Sequence, residues 1–205
     1  MQQKNGFNLI EMAIVLLILS LLLSQLLNPI SAQIDYLRYK ETEKTLENIK
    51  IALLGFTAIY GRLPFPASNP ETGLEDSSHH KKEAYLPWAD LGIGRQDAWG
   101  NPFRYRAEDE YTEIPLDYDR IFGKLGHGTG SSLRVKDKKN HYLTKEQQDS
   151  RVAAIIFSYG KNGIPETENA DLNKTFIYDV YIENEFDDIL TWLSRNTLVN
   201  YLPLP

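Results

Sequence analysis

The sequence contains no cysteine among its 205 residues. This absence excludes disulfide bonds, zinc sites built from thiolates and catalysis by a cysteine nucleophile, although it leaves the cellular compartment open. Basic residues are scarce as well, because 22 lysines and arginines stand against 28 aspartates and glutamates, for a formal net charge of −6. That balance speaks against nucleic-acid binding, which normally requires a basic surface.

Two common signatures of enzymes are also missing. Ser158 does not lie in the Gly-x-Ser-x-Gly pattern that exposes a hydrolase nucleophile. The glycines of residues 123–130 are not followed by the Lys-Ser/Thr pair that opens the helix of a phosphate-binding loop. The sequence therefore predicts a protein that is not an enzyme.

A long apolar segment is present near the N-terminus. Residues 9–27 are 19 residues with a single charge, Glu11. As a helix they would measure about 28 Å, close to the roughly 30 Å of a bilayer's hydrocarbon core. We predict a transmembrane helix over residues 7–28, and Lys4 before it favours a cytoplasmic N-terminus.

The helical pattern continues beyond this apolar segment. Apolar residues recur at spacings of three and four, which is typical of a helix packed on one face, namely Leu46, Ile49, Leu53, Phe56 and Tyr60. We therefore predict one helix over residues 7–60, with residues 29–60 outside the membrane. Residues 61–205 are predicted to form a globular domain.

Glu11 is the residue that a plain membrane anchor does not explain. An acid buried in the bilayer costs roughly 2.5–3.5 kcal/mol unless it has a partner. Glu11 could lie at the membrane edge, where that cost is small. Alternatively, cleavage between Gly6 and Phe7 would create an α-amino group four residues away. Glu11 could then pair with that amine, or with the amine of a neighbouring copy.

The segment Gly-Phe-Asn-Leu-Ile-Glu, residues 6–11, resembles the leader junction of type IV prepilins and type II secretion pseudopilins. Asn8 stands where that family usually has threonine. The resemblance implies a leader peptide over residues 1–6, cleaved after Gly6 by a prepilin peptidase that also methylates Phe7. It further implies that Glu11 pairs with a neighbouring N-terminus during filament assembly.

A second segment, Asp-Ala-Trp-Gly-Asn-Pro at residues 97–102, is similar to the Asp-Pro-Trp-Gly-Asn-Pro segment of major type II pseudopilins. It predicts a turn in which Gly100 adopts a positive φ. Alternating side chains after it predict a strand around Phe103 and Tyr105. We expect a buried strand over residues 152–159 and a second strand, antiparallel to it, over residues 176–182.

The C-terminal region carries a group of acidic residues. Apolar spacing over residues 186–193 predicts a short helix, with Asp187 and Asp188 in its first turn, where they would stabilise the helix dipole. Calcium binding is the alternative. The resemblance to major pseudopilins implies a calcium loop near the C-terminus, and Glu183, Glu185 and the two aspartates would supply hard oxygen donors. No other cofactor is expected.

The expected fold is α+β and pilin-like, with a long N-terminal helix, transmembrane in its first half, packed on a small antiparallel sheet. The resemblance implies a structural subunit, a pseudopilin or minor pilin, of the bacterial inner membrane with a periplasmic C-terminal domain. Its expected partners are other pilin or pseudopilin subunits, the prepilin peptidase and the inner-membrane assembly platform. The alternative is a periplasmic enzyme or receptor that uses the helix only as an anchor, which would need a polar pocket with convergent ionisable groups.

Overall fold

One long helix precedes a series of short strands in the computed structural model of this chain. Residues 8–79, 83–113, 133–144, 151–166, 169, 173–182 and 185–202 are described, with the side chains of residues 24–29 excepted. In chain order the elements are α1 (Leu9–Tyr60), β1 (Ala84–Tyr85), α2 (Trp88–Leu91), β2 (Arg104–Ala107), β3 (Arg134–Lys136), β4 (Val152–Ser158), β5 (Thr175–Ile177), β6 (Ile189–Ser194) and α3 (Arg195–Val199). The predicted α+β class is confirmed.

Two units divide the chain, Met1–Arg38 and Tyr39–Pro205. In the first unit, the side chains of α1 are exposed from Leu9 to Leu23, and nearly all of them are apolar. Glu11 is exposed among them. Over the side chains that the structure describes, no helix has both the length and the apolar character needed to cross a membrane.

In the second unit, the predicted apolar stripe of α1 packs against a sheet. Leu46, Ile49 and Leu53 are at most 1% exposed and belong to one core with side chains of the strands. Phe56 is buried too, but Tyr60 is 62% exposed, so its assignment to the stripe was wrong. The helix ends at Tyr60, and the chain turns away at Gly61, whose φ is +69°.

The main sheet has four antiparallel strands in the order β1-β2-β4-β6. The buried strand predicted over residues 152–159 is confirmed as β4, which ends one residue earlier, at Ser158, and all seven of its residues are buried. An irregularity between Val152 and Ala154 shifts the register with β6. Past it, Ala154 and Ile156 join the core beneath α1, while Ile155 and Phe157 join a second core on the opposite face. The strand is therefore apolar on both faces.

The second sheet pairs β3 and β5 in parallel. The prediction of a strand over residues 176–182 antiparallel to β4 was therefore wrong in its length and its partner. The reason is that both edges of β4 are occupied, one by β2 and the other by β6. β5 ends at Ile177, and its Phe176 packs in the second core.

The C-terminal segment forms β6 where a helix was predicted. Ile189 and Leu193 lie in the core beneath α1, whereas Leu190 and Trp192 pack on the other face. This two-sided alternation is that of a strand, and pairing with β4 outweighs the helical spacing of the apolar residues. A short helix does follow, α3, and its N-cap Ser194 accepts a hydrogen bond from the Thr197 N–H.

Candidate metal site

Three acidic residues meet where β4 ends and β6 begins. Ser158, the last residue of β4, pairs with Ile189, the first residue of β6. Asp187 and Asp188 directly precede Ile189, and Glu166 follows the turn that leaves β4. Strand pairing therefore brings together carboxylates that are more than twenty positions apart in sequence.

The three carboxylates are close enough to share one ion. Glu166, Asp187 and Asp188 each contribute an oxygen, and these oxygens lie within 4.8 Å of one another. Asp187 is 6% exposed and Asp188 is 5% exposed, while Glu166 is half-buried. The cluster could hold a metal ion.

One oxygen of each aspartate is held by the backbone. The Asn162 N–H donates to Asp187 Oδ2 at 2.8 Å, and the Glu166 N–H donates to Asp188 Oδ2 at 2.9 Å. In return, Glu166 Oε2 accepts the N–H groups of Asp187 and Asp188 at 3.3 and 3.1 Å. These bonds fix the carboxylates in place before any ligand arrives.

The second carboxylate oxygen of each aspartate, Oδ1, differs from the first in its hydrogen bonding. Within the part of the chain that the structure describes, Oδ1 of Asp187 and Oδ1 of Asp188 are buried and have no hydrogen-bond partner. A buried acceptor without a partner is costly and rare in folded proteins, so each such atom needs an explanation. A proton or a cation shared within the cluster supplies one.

The pKa values of both aspartates reflect this crowding. Burial, followed by the hydrogen-bonding proximity of Glu166, raises the pKa of Asp187 to about 6. Burial also raises the pKa of Asp188 to about 8, with a further contribution from the charge of Glu166, although hydrogen bonds from Glu166 N–H and Asn169 oppose the shift. Charge held at close range in a buried place disfavours the ionised forms. The same arrangement favours a bound cation, which removes the repulsion.

The turn that follows β4 contains a glycine, Gly160, that packs closely against the site. Gly160 has a φ of +57°, and a Cβ atom there would lie 2.1 Å from the backbone oxygen of Asp187. The Gly160 C=O accepts a hydrogen bond from Asn101 Nδ2 at 2.6 Å, and the Gly160 N–H donates to Ser158 Oγ at 3.0 Å. Only glycine allows the backbone of this turn to approach Asp187 so closely.

The turn at residues 97–102 holds this glycine turn in position. Its predicted positive φ at Gly100 is confirmed, at +93°. Asp97 Oδ1 accepts the N–H groups of Trp99 and Asn101, both at 2.9 Å. Asp97 Oδ2 accepts the Ser158 hydroxyl at 2.5 Å. The segment that resembles a pseudopilin turn thus connects, through Ser158, to the acidic site.

The donor set suits a hard cation. Calcium takes six to eight oxygen ligands and accepts carboxylates in one- or two-oxygen contact. Zinc prefers nitrogen and sulfur ligands in tetrahedral sites, and neither element is offered by the side chains of Glu166, Asp187 and Asp188. The residues present therefore fit a calcium-like ion.

The predicted site residues lie in different parts of the structure. It brings Asp187 and Asp188 together, not in a helix but in the approach to β6. Glu185 lies apart from them, in an ion pair with Lys138 at 3.3 Å. Glu183, Gly6 and Phe7 lie outside the described residues, and Glu11 is exposed on the first turn of α1.

Glu166 was not predicted from the sequence. It lies 21 and 22 residues before its two partners, and no local spacing links it to them. The only signal in the sequence was that Glu166 follows the Gly-Lys-Asn-Gly turn at residues 160–163, directly after β4. This turn lies at the end of the sheet where β6 begins. Recognising it required knowing that β6 pairs with β4.

Ser158 and His141 carry side chains that catalysis often uses, and both lie in ordinary structural settings. Ser158 is 0% exposed and donates its hydroxyl to Asp97, so a substrate has no access to it. His141 is exposed and contacts Asp137 across a turn, Nδ1 to Oδ2, at 3.0 Å. His127 lies outside the described residues.

A cavity of about 260 Å³ lies between α1 and β6. Its walls include Tyr39, Tyr178 and Trp192. Its two carboxylates are held in ion pairs, Glu43 with Lys40 at 2.8 Å and Glu47 with Lys50 at 3.0 Å. Aromatic side chains and paired charges therefore share the lining of this cavity.

No family model and no curated protein matches the sequence, and no solved structure matches the fold.

Proposed function

We propose that this protein is a structural subunit, a pseudopilin or minor pilin, of a type II secretion pseudopilus or a type IV pilus. The observation that carries the proposal is the sequence of residues 6–11, Gly-Phe-Asn-Leu-Ile-Glu, directly before a run of apolar residues. A signal anchor alone requires neither the Gly6–Phe7 step nor an acid at Glu11.

The character of α1 supports this role. From Leu9 to Leu23 its side chains are exposed and nearly all apolar, which water does not favour over so long a surface. In the proposal, this surface is covered by lipid before assembly and by the helices of neighbouring subunits afterwards. The proposed span, residues 7–28, extends past the described side chains at both ends.

The proposed protein is made in the bacterial inner membrane with its C-terminal domain in the periplasm. The prepilin peptidase cleaves it after Gly6, and the inner-membrane platform passes it to a filament of other pilin or pseudopilin subunits. The half of α1 that packs on the sheet, through Leu46, Ile49 and Leu53, would fix the domain to the filament's central helices.

The processing step can be tested by intact mass of the protein extracted from membranes. Cells with an active prepilin peptidase should yield a chain that begins at Phe7 and carries a methyl group on its amine. Gly6→Leu should block cleavage, because a bulky side chain prevents the close backbone approach that glycine allows. Asn5→Ala, one residue earlier, is the matched control and should be processed. A mature parent chain that still begins at Met1 would contradict the proposal.

We also propose that the acidic site binds calcium. The observation that carries this second proposal is the pair of buried, unpartnered Oδ1 atoms of Asp187 and Asp188. The bound ion would offset most of the negative charge of the cluster and join the turn after β4 to the start of β6. A ligand that binds only the folded state raises stability by an amount that grows with its concentration.

Calorimetric titration with Ca²⁺ and with Mg²⁺ tests this site directly. We expect saturable binding of Ca²⁺, weaker binding of Mg²⁺, and a melting temperature that rises with added Ca²⁺. Asp188→Asn should abolish both effects of Ca²⁺. Glu185→Gln is the matched control, since Glu185 is a nearby acid that pairs with Lys138 instead. Equal losses in the two variants, or no binding by the parent, would reject the calcium site.

A further inference from the structure

Asn169 is a buried side chain that touches both the acidic site and a strand of the second sheet. It is 1% exposed. Its Nδ2 donates to Asp188 Oδ2 at 2.9 Å and to the Ile177 C=O at 3.1 Å, and its Oδ1 accepts the Ile177 N–H at 2.7 Å. One amide group therefore joins a carboxylate of the cluster to the end of β5.

The Ile177 groups that Asn169 contacts lie on the edge of β5 that faces away from β3. β5 is joined to β3 through the Lys174 C=O, which accepts the Arg134 N–H at 2.8 Å, and through the Tyr178 N–H, which donates to the Lys136 C=O at 2.9 Å. Successive residues of a strand direct their backbone groups to opposite edges. Ile177 therefore points to the other edge, where the Asn169 amide takes the place of a neighbouring strand.

We propose that Asn169 is a positioning residue that couples the acidic site to β5. Its donation to Asp188 Oδ2 fixes that carboxylate and leaves Oδ1, the oxygen without a hydrogen-bond partner, for a cation. Its two bonds to Ile177 hold the strand edge in return. The inference deepens the cation site proposed above, and it assigns that site an effect on the second sheet.

The geometry leaves the amide little freedom to respond at one end only. Rotation that follows a displaced Asp188 carboxylate would break bonds to both the N–H and the C=O of Ile177. All of these groups are buried, so the broken bonds would not be replaced by water. A change at Asp188 is therefore transmitted to β5, and by linkage a change at β5 alters the site by the same factor.

Hydrogen exchange of the Ile177 N–H, followed by NMR in the full chain, reads the coupling. In EDTA, Asp188→Ala should speed this exchange about five- to tenfold, the usual effect of loosening one buried hydrogen bond. In the Asn169→Ala background the exchange is already fast, and adding Asp188→Ala should change it less than twofold. Glu185→Ala is the matched control, because Glu185 is a nearby acid that pairs with Lys138 and lies outside the cluster. It should leave the Ile177 N–H nearly unchanged.

The outcomes of this double-mutant cycle are decisive without any metal. Additive effects of Asp188→Ala and Asn169→Ala, or an equal effect of Glu185→Ala, would overturn the inference. The N–H of Ile155, in the middle of β4, serves as the reference for folding. Partial unfolding would speed exchange at both N–H groups, whereas the proposed coupling speeds it at Ile177 alone.

A second arm of the experiment adds Ca²⁺ to the same chains. In the parent, saturating Ca²⁺ should slow exchange of the Ile177 N–H about five- to tenfold, and in Asn169→Ala it should not, although calorimetry still detects binding. Binding without any slowing at Ile177 in the parent would overturn the inference and leave the calcium proposal intact. Absence of binding would reject the calcium proposal alone, since the metal-free cycle judges the coupling by itself.

Discussion

Asp187 and Asp188 show how a single pair of residues can be at odds with its surroundings. Each is more than nine-tenths buried, and each has one oxygen without a hydrogen-bond partner among the described residues. From the sequence, both were predicted to lie in the first turn of a helix, with calcium binding as the alternative. Glu166, which completes the cluster, could not be found without the pairing of β4 and β6. The residue types were predictable, whereas their convergence depended on tertiary structure.

The raised pKa values of these aspartates predict an unusual dependence of stability on pH. Both aspartates have folded-state pKa values, about 6 and about 8, above the ordinary value near 3.9. The folded state therefore binds more protons than the unfolded state between about pH 4 and pH 8. Stability from these groups is present below about pH 4 and is lost as the pH rises to about 8. One pKa unit corresponds to about 1.4 kcal/mol, so the loss should exceed about 2 kcal/mol.

Urea unfolding in EDTA between pH 4 and pH 8 measures this loss. Asp188→Asn should flatten the profile, because the amide does not ionise. Glu185→Gln is again the control and should keep the slope of the parent. Added Ca²⁺ should restore stability at pH 8. A parent protein whose free energy of unfolding rises steadily across this range in EDTA would show that the cluster does not resist ionisation.

Gly160 tests the close approach that the acidic site requires. In Gly160→Ala, the new Cβ would meet the Asp187 backbone oxygen, and the left-handed φ would add its own strain. Gly92→Ala is a matched control, because Gly92 has a similar φ of +65° and nothing within 4 Å of its Cβ position. We expect Gly92→Ala to lower the free energy of unfolding by about 1 kcal/mol, and Gly160→Ala by at least about 2 kcal/mol more.

Denaturant unfolding of the two glycine variants, with calcium titration beside it, provides the measurement. Gly160→Ala should also weaken Ca²⁺ binding, since Asp187 must shift, while Gly92→Ala should not. Equal destabilisation by the two variants would mean that only backbone strain is felt at Gly160.

At the scale of elements, the sequence predicted α1 and β4 well and the C-terminal strand poorly. α1 carries a long apolar run followed by a one-sided stripe, and β4 is a continuous apolar run, so local pattern was sufficient for both. In β6, the apolar residues 189, 190 and 193 also fit a helix. Thr191 and Trp192 were the contrary signals, because β-branched and aromatic residues favour strands. The open edge of β4 decided the outcome.

The packing of α1 on the sheet gives a prediction at this scale. Leu53 is fully buried among the strands, and Ile51, two residues earlier, is 67% exposed. Leu53→Ala should lower the free energy of unfolding by about 2–5 kcal/mol, as core truncations do. Ile51→Ala should change it by less than about 0.5 kcal/mol. Urea unfolding of the two variants decides the matter, and similar losses in both would show that α1 does not dock through its predicted stripe.

At the scale of the whole molecule, two features of the sequence remain to be joined in one function. Residues 6–11 and the apolar run behind them concern the unit Met1–Arg38, whereas the calcium candidate lies in the unit Tyr39–Pro205. Under the proposed function a structural subunit uses both, the first to enter a filament and the second to keep its domain folded in the periplasm. The α+β class could be predicted from the pattern of elements. The proposed role of the first unit needs neighbouring subunits, so it could not be derived from the structure of one chain.

Glu11 provides the sharpest test of that role. Two unit charges about 4 Å apart interact by roughly 4 kcal/mol at an effective dielectric constant near 20, enough to offset the burial of an acid in lipid. If Glu11 pairs with the amine of a neighbouring Phe7, Glu11→Val should leave membrane insertion and cleavage after Gly6 intact and strongly reduce entry into filaments. Glu11→Asp, with its shorter reach, should give an intermediate result.

Glu41→Val, at another exposed acid of α1, is the control and should assemble like the parent. Cleavage is followed by intact mass and assembly by crosslinking in the membrane. Normal assembly of Glu11→Val would mean that this carboxylate only lies at the membrane edge, because a charge pair needed for docking cannot be removed without loss.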